Sequence, residues 1–141
     1  MGSGGVLYGT TIYGGAFESG TVFSLRPPST PGGAWTEQDL YTFTGGSDGQ
    51  YPHGGITIGS GGVLYGTTYN GGTAGLGTVF SLTPPAIPGG AWTESVLHSF
   101  VENGVGVFPA TGVALGPGGI IYGTTGYGGP HNSGTVFSLT P

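Results

Sequence analysis

Apolar and polar residues along the chain fall into short runs whose spacing fits strands. VLYGTT (63–68), TVFSL (78–82) and AWTESVLHSF (91–100) are rich in β-branched and aromatic residues, the types that suit a pleated, buried surface. ITIG (56–59) and its counterpart GVALG (112–116) are shorter apolar runs, closed by GSGG and GPGG, which is turn chemistry. A glycine-rich loop, YNGGTAGLG, separates the second run from the third. The proline-rich PPAIPGG separates the third from the fourth, because proline supports neither a central strand nor a helix interior. No window holds a useful 3.6-residue period, so the chain is predicted to be all-β.

The pattern then repeats. Tyr8, Tyr65 and Tyr122 recur every 57 residues, as do Gly20, Gly77 and Gly134, Trp35 and Trp92, and Pro52 and Pro109. The register never slips. Four strands per period without helices predict antiparallel β-propeller blades, with a β-solenoid as the alternative, whose coils are normally much shorter. Strands that are apolar or small on both sides fit a blade covered by neighbours on both faces. The whole chain reads as one repeat domain, with blade-like units at about 1–52, 53–109 and 110–141. By analogy with other propellers GVAL is innermost, IIYGTT second, TVFSL third and WTESVLHSF outermost. The chain then supplies three strands, a full blade of four, and three more. Two or three chains are expected to close a six- or nine-bladed ring as a homo-oligomer, because an isolated wedge would expose two apolar end faces.

The run G-x-L-Y-G-T-T-x-x-G-G-x-x-x-x-G-T-V-F resembles the GloVer repeat, which is named for its LYGTT…GTVF core and occurs in tandem in bacterial proteins. The resemblance covers essentially the whole chain. It implies an extracellular or cell-surface repeat protein and brings no catalytic residues with it. The N-terminal MGSGGVLYG lacks the basic region and apolar run of a signal peptide, and no apolar stretch approaches a membrane span.

Composition mainly excludes. The 141 residues carry six acidic side chains and one basic one, Arg26, for a net charge of −5. Nucleic acids and anionic membranes need several Lys or Arg, so neither is an expected partner. Without cysteine there is no disulfide, thiolate nucleophile or Cys-based zinc site. No cofactor is called for.

Candidate chemistry is sparse. GGSDG (45–49) matches G-x-S-x-G, yet it follows the outer strand and precedes no helix, and the position equivalent to Ser47 is Gly104; a turn is expected. The turns GSGG and GPGG lack the GK[ST] of a phosphate loop. His53, His98 and His131 occupy three different repeat positions, without metal-ligand spacing. The acids are Glu18, Glu37, Asp39, Asp48, Glu94 and Glu102. Glu37 and Glu94 are equivalent and read as solvated edge charges with no second carboxylate beside them in every copy. Asp39 and Asp48 could join loop carbonyls around Ca²⁺, though no metal site is expected. Trp35 and Trp92 either pack on a neighbouring blade or stack on a sugar or protein partner. The loop tips diverge most: Ile12, Tyr13, Ala16, Phe17, Glu18 and Ser19 stand where the second copy has Tyr69, Asn70, Thr73, Ala74, Gly75 and Leu76. Such positions carry binding specificity or neutral drift. Trp35, Trp92, Tyr13, Tyr69 and Asp48 are accordingly the candidate ligand-binding residues, with no catalytic or metal-ligating set. The expected function is a non-catalytic propeller module for self-assembly and for binding carbohydrate or a surface protein. The alternatives are a polysaccharide-acting enzyme using Asp39, Asp48 and Glu37, or a purely structural self-associating repeat.

Overall fold

The computed structural model describes residues 1–102 and 105–140, and its described residues form strands, turns and short 3₁₀ segments. The all-β expectation holds. Strands β1 (Leu7–Thr11), β2 (Thr21–Arg26) and β3 (Thr36–Thr42) form a first antiparallel sheet in the order β1-β2-β3. The second sheet contains β4 (Gln50–Pro52), β5 (Thr57–Ile58), β6 (Leu64–Asn70), β7 (Thr78–Thr83) and β8 (Thr93–Ser99). In it β4 and β5 both lie against β6, and β7 and β8 follow outward. After β9 (Gly106–Val107), strands β10 (Ala114–Leu115), β11 (Ile121–Thr124) and β13 (Val136–Leu139) make the third sheet, and β12 (Tyr127–Gly128) pairs back with β9. The SGG and PGG turns at Ser3–Gly5, Ser60–Gly62 and Pro117–Gly119 each lead into the equivalent strand.

One feature differs from the sequence expectation. The apolar first strands ITIG and GVALG are the short β5 and β10, and each is preceded by a further short strand, β4 or β9, in the stretch expected to be a loop. Pro52 is the last residue of β4 and Pro109 lies just past β9, each ahead of the first strand and without an N–H to extend a ladder.

The repeated motif explains itself in the register. Gly9, Gly66 and Gly123 lie directly opposite Phe23, Phe80 and Phe137 on the neighbouring strand. A Cβ at Gly66 would stand 2.6 Å from the Phe80 ring, so the ring lies over bare backbone. Phe80 then meets Phe43 of the first sheet edge-on at 5.1 Å and 68°. One period later Phe137 meets Phe100 at 5.2 Å and 69°. The two threonines of each GTT divide the polar work. Thr68 shares its hydroxyl with Thr78 across the strand pair at 2.8 Å and accepts the Thr78 N–H at 3.2 Å. Thr67 instead donates to the Thr111 carbonyl of the third sheet at 2.7 Å, as Thr10 does to the Gly54 carbonyl of the second at 3.1 Å.

The second sheet is therefore covered twice. Phe80 and Leu82, with Leu64, pack against Val22 and Phe43 of the first sheet. Val79 faces the other way, with Phe100, onto Val113 and Ile121 of the third sheet. Five of the six β7 residues are buried, as a strand with no wet face requires.

Because Thr68 and Thr78 are both fully enclosed, Thr68→Val keeps the shape but strands a buried hydroxyl and a backbone N–H. The expected cost is about 1–3 kcal/mol in urea unfolding. The equivalent Thr125→Val, at a less enclosed pair, should cost less; equal losses at the two sites would remove burial as the cause.

Candidate functional site: an aromatic rim

Strand direction sorts the candidate residues onto two opposite ends of the sheets. The second strands finish, and the third strands begin, at Thr11/Thr21, Thr68/Thr78 and Thr124/Val136. The glycine-rich loops thus share one end, and the pairing of Gln50 with Asn70 brings β4 to it. Tyr13, Tyr51, His53, Tyr69, Phe108 and Tyr127 gather along that rim. Tyr13 meets Tyr51 edge-on at 5.2 Å, and His53 lies 5.4 Å from Tyr69. Tyr69 stacks on Phe108 at 5.1 Å and 30°, and Phe108 meets Tyr127 at 6.1 Å. Tyr13 is 66% and Tyr127 49% exposed. Phe108 and Tyr127 also line an open groove of about 330 Å³ with Leu76, Val107, Glu102 and Asn132.

Two of these rings sit on strained backbone. Tyr51 has φ 56° and Phe108 φ 57°, a left-handed conformation that costs a bulky residue on the order of 1–3 kcal/mol. Each is held there by its N–H, donated to the carbonyl of Ser19 or of Leu76 at 2.9 Å. The next residue in each case, Pro52 or Pro109, is fully buried. The surroundings hold the backbone beneath both rings.

Of the five residues singled out by sequence, Tyr13, Tyr69 and Asp48 lie on this rim, and Trp35 and Trp92 lie at the opposite end, beyond the Arg26/Thr36 and Thr83/Thr93 pairs. Trp92 packs edge-on against Tyr8 of the first sheet at 6.3 Å, whereas Trp35 is 50% exposed. Asp48 is occupied within its own loop. Its Oδ2 accepts from the Thr44 N–H at 2.8 Å and the Tyr41 hydroxyl at 3.0 Å, and its Oδ1 accepts from the Thr44 hydroxyl at 2.6 Å. GGSDG is the turn this carboxylate closes, with Gly45 N–H donating to the Gly49 carbonyl at 3.2 Å; Gly104, its counterpart to Ser47, lies outside the described residues. Sequence reasoning missed Tyr51, Phe108 and Tyr127. The signal was present: an aromatic residue precedes Pro52 and Pro109 at the same repeat position.

The acids need one correction. Glu37 is exposed, as an edge charge should be, but Glu94 is not. Glu94 lies opposite Leu82 and shares the face that packs on the first sheet, and its Oε1 is shielded from solvent without a hydrogen bond. Burial, and then the charge of Asp48, push the Glu94 carboxyl up to about 7. Burial also raises the Tyr41 hydroxyl, followed by its contact with Asp48 and the charge of Glu94. Asp39 sits opposite Phe23, on the other face of the first sheet from Tyr41. Asp39 and Asp48 therefore do not converge on one site, and among the described residues no group of three His, Asp or Glu is placed to hold a metal ion. His53 and His131 are exposed, and His98 packs edge-on against Phe100 at 4.8 Å.

A site of this kind offers flat apolar rings, a few hydroxyls and no cationic group, on a scaffold of repeated antiparallel sheets. The chain belongs to the Gloeobacter/Verrucomicrobia repeat family, whose sequence profile matches residues 1–141. No curated protein and no solved structure matches it. Among the described residues no helix is long and apolar enough to cross a membrane.

A carboxyl whose pKa rises on folding stabilises the fold fully below its ordinary value of 4.5, and that stability is lost as pH climbs to about 7. Glu94→Gln should keep it throughout. The variant is expected to melt a few degrees above the wild type at about pH 8, with the gap closing by about pH 5 in calorimetry. A gap that does not change with pH would rule out the buried carboxyl as its origin.

Proposed function

We propose that the three sheets are successive blades of a β-propeller wedge, and that the chain is a non-catalytic module that associates with its own copies and binds a neutral saccharide along the aromatic rim. The propeller reading is supported by the recurrence of one inter-sheet contact, Phe43–Phe80 and Phe100–Phe137, with nearly the same distance and angle. It is supported further by the inner segments, where a Cβ at Gly54 would fall 2.2 Å from the Gly112 nitrogen. Farther out the sheets stand apart by whole aromatic rings such as Tyr8 and Trp92. Sheets that touch at one edge and spread at the other are what a radial arrangement of blades would give.

The ligand reading rests on one observation, the row of rings, exposed at Tyr13 and Tyr127 and half-buried at Tyr51, Tyr69 and Phe108, in which Tyr51 and Phe108 are left-handed. Fixed aromatic faces accept the C–H face of a pyranose, and tyrosine hydroxyls beside them can bond its hydroxyls. The nearby charges are the acids Glu18, Asp48 and Glu102, and the chain has no Lys, so an anionic polysaccharide is disfavoured. A non-catalytic role fits an Asp48 tied into its own loop and a Glu94 half-buried between sheets. The secreted or surface setting implied by the GloVer resemblance would bring such a rim into contact with glycans.

Titration calorimetry against a panel of neutral and anionic oligosaccharides tests this. A neutral member is expected to bind with Kd between about 10 µM and 1 mM, and Tyr127→Ala or Tyr13→Ala to weaken it about tenfold. Absence of binding by every neutral sugar at about 10 mM would refute the ligand assignment.

A further inference from the structure

The outer face of the third sheet is chemically the face that the second sheet buries. Val136 and Val79 are equivalent, yet Val79 is 0% exposed and Val136 78%. Tyr122 (equivalent to Tyr65) is likewise uncovered, at 41%, as are Thr124 (Thr67) and Ser138 (Ser81). An apolar groove of about 350 Å³ runs over this face between Tyr122, Gly123, Val136 and Val113. At the other end, the first sheet presents Leu7, Phe23 and Leu25, the equivalents of Leu64, Phe80 and Leu82. Those three are 0% exposed because the first sheet itself covers them.

The two open faces thus carry the second- and third-strand residues of a contact the chain already makes twice, while the third sheet, β10-β11-β13, holds no counterpart of Phe43 or Phe100 among the described residues. Resting on the self-association proposed above, we infer that the third sheet of one copy takes the first sheet of a second copy, head to tail, reproducing the part of the internal seam that the second and third strands make. The occupant is a second copy because its residues are those the seam uses. Leu7, Phe23 and Leu25 would take the places of Leu64, Phe80 and Leu82, and Val136 that of Val79 and Val22. One contact of the seam between the first and second sheets identifies the pairing in detail. Trp92 of the second sheet packs on Tyr8 of the preceding sheet, so Trp35 of the second copy packs on Tyr122 of the first. Trp35 and Tyr122 are both exposed within one chain. Charge permits the arrangement: Ala114, Tyr122, Thr124, Val136 and Ser138 are all neutral. Glu37 takes the position Glu94 already occupies in a seam, and Asp39 matches Val96, which stays 37% exposed. The contact is heterologous, so its repetition yields a ring if the rotation closes and a filament otherwise.

The test uses the full chain and two blocked variants, Val136→Asp for the third-sheet face and Leu7→Asp for the first-sheet face. Trp35→Ala serves as a milder second block of the first-sheet face, and circular dichroism checks that each variant folds. In light scattering after size exclusion at about 100 µM, the wild type is expected at a multiple of 13.9 kDa. Each variant alone should run as a monomer, and an equimolar mixture of Val136→Asp with either first-face variant should yield a capped dimer through the two intact faces. Tryptophan emission should shift to the blue on association in the wild type and lose most of that shift in Tyr122→Ala. A monomeric wild type would overturn the self-association reading itself. A wild-type oligomer that survives Val136→Asp, or folded variants that fail to complement, would overturn this pairing alone.

Discussion

A phenylalanine ring laid over a glycine is the contact on which the architecture depends. Phe80 can cross β6 only because Gly66 offers no Cβ, and its edge then reaches Phe43 on the neighbouring sheet. The same ring therefore serves both its own sheet and the seam to the next. Phe43, Phe80, Leu64 and Leu82 are fully enclosed there, and burial of that kind is worth roughly 1.5–3 kcal/mol per large side chain. The seam, more than any single sheet, is the unit of stability, since the sheets have few strands and several of those strands are only two residues long.

Much of this was legible in the sequence because repetition removes ambiguity. One copy of LYGTT or TVFSL is a short apolar run of uncertain type; three copies at constant spacing fix which residues share a place. Strand content, the turns before the second strands and the two-sided burial of β7 all followed from that. The extra strands β4 and β9 did not, because they lie in stretches of loop composition ahead of ITIG and GVALG, and the effect of Pro52 and Pro109 depends on what they lie against.

The site was less legible, for a physical reason. Sequence reasoning looked for divergence at loop tips and found Tyr13 and Tyr69, while Tyr51 and Phe108 hide in the repeated part of the chain. Their significance lies in backbone conformation, a left-handed residue just before a proline, which propensity alone argues against. Glu94 was misjudged because face, and not strand, decides exposure: Glu37 and Glu94 share a repeat position and differ only in whether another sheet lies opposite.

The hydrogen bonds from Thr10 to Gly54 and from Thr67 to Thr111 carry a consequence for how the molecule opens. They join each sheet to its successor, so neighbouring sheets gain stability from one another in the manner of a one-dimensional cooperative array. The middle sheet has two such neighbours and the outer sheets one each. Opening then begins at the flanks and moves inward, and the second sheet persists longest as the slowest-exchanging unit of the chain. Each sheet added to such an array contributes an interface as well as its own strands, so its stability grows with length.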